Sequence, residues 1–80
     1  MTTIEPETTA DFLRGMARDA ERNARKWRED RDDYLKAAED PEEDHVYARV
    51  MAVAAAMRAQ SETKVAEYLN ERADAEGAAK

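Results

Sequence analysis

Pro41 separates two long runs in which small and apolar side chains recur every seven positions. No single regular element accommodates both. Before it, Leu13, Ala20, Trp27 and Tyr34 form one series, and Ala10, Ala17, Ala24, Arg31 and Ala38 form a second. After it, Tyr47, Ala54, Ser61, Tyr68 and Ala75 repeat by seven, accompanied by Val50, Met57 and Lys64. Two interleaved series of this kind are the a and d positions of a helical seam. A proline inside a helix costs about 3 kcal/mol, so the pattern predicts two helices rather than one continuous rod.

The punctuation supports that division. Thr8 or Thr9 suits a helix N-cap, with Asp11 in the first turn against the positive end of the dipole. Asp40 can cap a second helix with Pro41 at its first position and Glu42 and Glu43 following. The expected organisation is an N-terminal arm over 1–8, a helical hairpin over 9–76 and a frayed tail over 77–80. Within the hairpin, helix one covers about 9–39, the turn 39–41 and helix two about 41–76. So short a break folds the helices back antiparallel. The expected pairing sets Tyr34 opposite Tyr47, Trp27 opposite Ala54, Ala20 opposite Ser61, Ala17 opposite Lys64 and Leu13 opposite Tyr68.

Composition agrees with an all-α, coiled-coil-like hairpin. Of 80 residues 40% are charged and only 6% aromatic, and alanine is the commonest residue, a profile of long helices rather than sheets. The absence of cysteine removes disulfides and thiolate metal sites and fits a reducing compartment. No apolar run reaches the roughly 20 residues of a membrane span, so the expectation is a cytoplasmic protein without a membrane partner.

One seam between two helices gives a small domain little to bury. A homodimer forming a four-helix bundle is therefore expected, with Phe12, Met16, Val53, Val65 and Leu69 as the dimer or partner interface. Arg31 and Lys64 fall at seam positions. Arg31 is expected either to extend its head to solvent or to meet an acidic residue of the second protomer.

The residues argue against catalysis by a single chain. His45 is the only histidine and Ser61 the only serine, too far apart on the heptad pattern to act together, and no glycine-rich phosphate loop is present. No catalytic residue, metal site or cofactor is expected. Two charged features remain. Arg14, Arg18, Arg22 and Lys26, four apart, make a basic stripe, interleaved with Asp19, Glu21, Glu29 and Asp30 at salt-bridging intervals. Glu39, Asp40, Glu42, Glu43 and Asp44 make an acidic tip at the turn. The first reading is a non-enzymatic helical protein–protein interaction module that pairs with itself and binds another protein. Its Ala- and Arg-rich, motif-free character suits a small bacteriophage or bacterial regulator of a host protein. The second reading is a nucleic-acid-associated protein using the stripe. The third is an acidic DNA mimic using the tip.

Overall fold

A computed structural model of the chain describes residues 8–78, and these form two helices, α1 (Thr9–Ala37) and α2 (His45–Ala78), packed against each other. Thr8 has extended backbone geometry and its Oγ1 accepts a hydrogen bond from the Asp11 amide at 3.1 Å, so it is the N-cap of α1. This satisfies one of the amide donors that the first turn leaves unpaired. Most of the expected arm, residues 1–7, and the last two residues of the expected tail lie outside the described residues.

The start of α2 departs from expectation. Asp40 is not its cap, and Pro41 is not its first residue. The Asp40 carbonyl instead accepts from the Glu43 amide at 3.1 Å and its side chain accepts from the Glu42 amide at 2.9 Å, closing a turn over Asp40–Glu43. Asp at the first and Pro at the second turn position is a favoured combination, because proline presets the required φ. Asp44 caps α2, its Oδ1 accepting from the Tyr47 amide at 3.0 Å. The connection thus spans residues 38–44. His45 ties its two ends together, since its Nδ1 donates to the Ala38 carbonyl at the end of α1. At the far end Gly77 does not stop the helix, which runs to Ala78.

The packed seam is made of alanine. Ala10, Ala17, Ala20 and Ala24 of α1 are buried, together with Ala48, Ala52, Ala55, Ala59, Ala66 and Ala73 of α2, and no larger apolar residue among the described residues is. On α1 these positions are the expected ones, with Leu13, Trp27, Arg31, Tyr34 and Ala38 half-buried along the same two series. On α2 they are not. Ala48 and Ala55 each stand one residue after an expected seam position, and the series continues through half-buried Glu62, Leu69 and Glu76. One residue is a rotation of about 100°.

Tyr47, Val50, Met57 and Tyr68, expected inside, are therefore exposed, as are Ser61, Lys64 and Ala75. The longitudinal pairing moves as well. Ala20 clusters with Ala17 and Ala66 rather than meeting Ser61, and Leu69 rather than Tyr68 packs on that cluster. Arg14 reaches Asp74 at 3.2 Å, and Arg28 donates to Thr63 Oγ1 at 2.9 Å. Alanine on both faces lets the helix axes approach closely over many turns. Close approach gathers dispersion contacts along the whole length, which large side chains at the same positions would prevent.

Candidate interaction surfaces

Rotation of α2 decides what the hairpin exposes. Val46, Val50, Val53 and Met57 each precede a buried alanine by two residues, which places them about 200° around the helix from the seam. Their spacing of four, three and four keeps them within about 60° of arc. They form a single row on the outer edge of α2, away from α1, and Val46 is 73% and Met57 63% exposed. From His45 to Ser61 α2 carries Arg49 and Arg58 and no carboxylate. Lys64 continues the line of the row, beyond Met57.

The five residues expected to form one interface differ in exposure. Phe12, Met16 and Val65 are exposed. Leu69 is half-buried in the chain's own alanine cluster. Val53 lies in the outer row and borders an apolar hollow with Arg31, Leu35, Arg49, Ala52 and Ala56. Across the hairpin from that hollow, Trp27 is half-buried and shares a second one with Ala54, Met57 and Ser61. The Arg58 guanidinium stacks 4.6 Å from the Trp27 ring centroid, a cation–π contact that nothing in the sequence spacing signals.

The stripe residues Arg14, Arg18, Arg22 and Lys26 are all exposed on α1. Two of them are engaged, Arg14 with Asp74 and Arg22 with Asp19 at 3.6 Å. Arg31 holds its expected seam position, half-buried, whereas Lys64 does not. Arg31 pairs with its neighbour Asp32 at 2.9 Å, and Lys64 is exposed rather than facing Ala17. At the tip, Glu39, Asp40, Glu42, Glu43 and Asp44 are all exposed. Asp40 and Asp44 spend one oxygen each on the backbone bonds of the turn and cap, which leaves the three glutamates without a structural duty among the described residues.

Among the described residues no three His, Asp or Glu side chains are placed to hold a metal ion together. No helix of the described residues is long and apolar enough to cross a membrane. The surfaces that remain are an apolar edge on α2, a partly neutralised basic face on α1 and an acidic tip. Comparison with protein-family models, curated proteins and solved structures gives no match to this chain.

Proposed function

We propose that this chain is a non-enzymatic helical interaction module: two copies associate as four helices, and the assembly presents its charged faces to another protein, as a small phage or bacterial regulator would. One observation carries the reading. Among the described residues only alanines are fully buried while ten larger apolar residues stand exposed, among them Val46, Val50, Val53 and Met57 on one edge. An isolated monomer gains nothing from that distribution, and exposed apolar patches of this kind mark association surfaces. Nucleic acid is the weaker partner, because Asp74 and Asp19 already neutralise half of the basic stripe and the net charge is −6.

Sedimentation equilibrium over a hundredfold concentration range tests the self-association: the apparent mass should rise from one chain to two. A folded monomer at every concentration removes that part of the reading. Titration with labelled duplex at moderate salt tests the rest. Binding that vanishes in the Arg18→Glu, Arg22→Glu double variant would replace the protein-partner reading with the nucleic-acid one.

A further inference from the structure

We infer that the second copy docks antiparallel on the outer edge of α2, so that the two α2 helices lie side by side at the centre and the two α1 helices flank them. This rests on the self-association proposed above and specifies its surface and direction.

Area supports a second copy as the occupant. The chain exposes 6500 Å², whereas a compact monomer of 9.1 kDa exposes about 4,900 Å². The surplus exceeds the roughly 800 Å² that each partner buries in a standard stable interface. The hairpin measures 61 × 30 × 11 Å across its Cα atoms, a slab one helix thick. It lacks the second layer that helical domains use to enclose a core.

The row selects the surface. Val46, Val50, Val53 and Met57 are themselves an a/d series with no charged member. In an antiparallel pair Val46 meets the second copy's Met57 and Val50 the second copy's Val53, so all four apolar positions find apolar partners under one twofold axis. Because the row faces away from α1, the product is a four-helix layer with α2 inside rather than the closed bundle expected from the sequence.

Charge selects the direction. The row ends on one side at the carboxylates Glu39, Asp40, Glu42, Glu43 and Asp44 and on the other at Lys64, which is flanked by Arg58, Glu62 and Glu67. Antiparallel docking sets each acidic tip beside the other copy's Lys64. Parallel docking would set tip against tip, five carboxylates facing five. Complementary ends of this kind steer and orient association.

The chain has no cysteine, so Ser61→Cys accepts a single spin label on the exposed side of α2. In an antiparallel dimer centred between Val50 and Val53, the two labels stand about 30 Å apart along the axis. In a parallel pair they come within about 20 Å of each other, given helix axes roughly 10 Å apart. The inference expects the longer distance. It also expects Val53→Asp to weaken association at least about a hundredfold and Lys64→Glu to weaken it about two- to fivefold. Dimers with the shorter distance, or dimers that dissolve on Met16→Asp but tolerate Val53→Asp, overturn the docking surface or its direction and leave self-association standing. A folded monomer of the unsubstituted chain at every concentration overturns both. Circular dichroism of each variant confirms that the hairpin itself has survived the substitution.

Discussion

The two helices divide their chemistry differently. Fifteen of the 29 residues of α1 are charged, and its small and apolar positions fall mainly on one stripe, which packs on α2. In α2 only nine of 34 residues are charged, and it carries two stripes, one of alanines and one of larger aliphatic side chains. A helix with one stripe has one way to face its neighbour. A helix with two must be assigned a face by its neighbour, and here α1 offers alanines. Matching small to small brings the backbones together, and the large side chains of α2 are left as surface.

The largest test of that division substitutes the same charge on the two stripes. Ala66→Asp places an unpaired carboxylate in the buried alanine cluster and should cost about 3 kcal/mol or more, enough to abolish the cooperative melt. In the outer row, Val53 is 60% exposed, so Val53→Asp removes little burial within the chain and should change the dilute hairpin's stability by less than about 0.5 kcal/mol. Equal losses in thermal unfolding at low concentration would erase the distinction between the stripes.

Next in size is overpacking. Ala17→Leu inserts a large side chain where Ala17 is 1% exposed and should destabilise by about 1–3 kcal/mol. The matched change Val50→Leu on the outer edge should be nearly neutral below the dimer dissociation constant. Urea unfolding of both variants at the same low concentration makes the comparison.

Smaller effects distinguish the helix starts. Asp44→Ala should cost about 1 kcal/mol by removing the cap of α2, and Thr8→Ala a similar amount at α1. Asp40→Ala should cost less, because Asp40 closes a turn rather than capping a helix. If Asp40→Ala costs more than Asp44→Ala in thermal unfolding, the expected start at Pro41 is restored.

The smallest change runs the other way. Gly15 lies within α1, and a Cβ there meets nothing within 4 Å. Gly15→Ala should therefore stabilise by about 0.5–1 kcal/mol, by removing glycine's backbone entropy from the unfolded chain. A lower melting temperature would mean that the face of α1 around Gly15 is less open than this arrangement holds.

Much of this was legible in the sequence. Heptad spacing located both helices, Pro41 separated them, and the length of the break required them to run back along each other. On α1 the seam residues could be named, because its charges leave one stripe free. At the turn, the place beside Pro41 pointed to Asp40 as the cap. Only the closed loop, with His45 reaching the Ala38 carbonyl, shows Asp44 in that role. The phase of α2 was likewise beyond the sequence. Seven-residue recurrence ran the seam through Tyr47, Val50, Met57 and Tyr68, whereas the buried positions are Ala48, Ala55 and Ala59. The tertiary structure chose the neighbouring phase for a geometric reason. Helix spacing is set jointly by both faces, and a seam already alanine-lined on α1 packs most closely against alanine on α2, a preference that belongs to the pair and to neither helix alone.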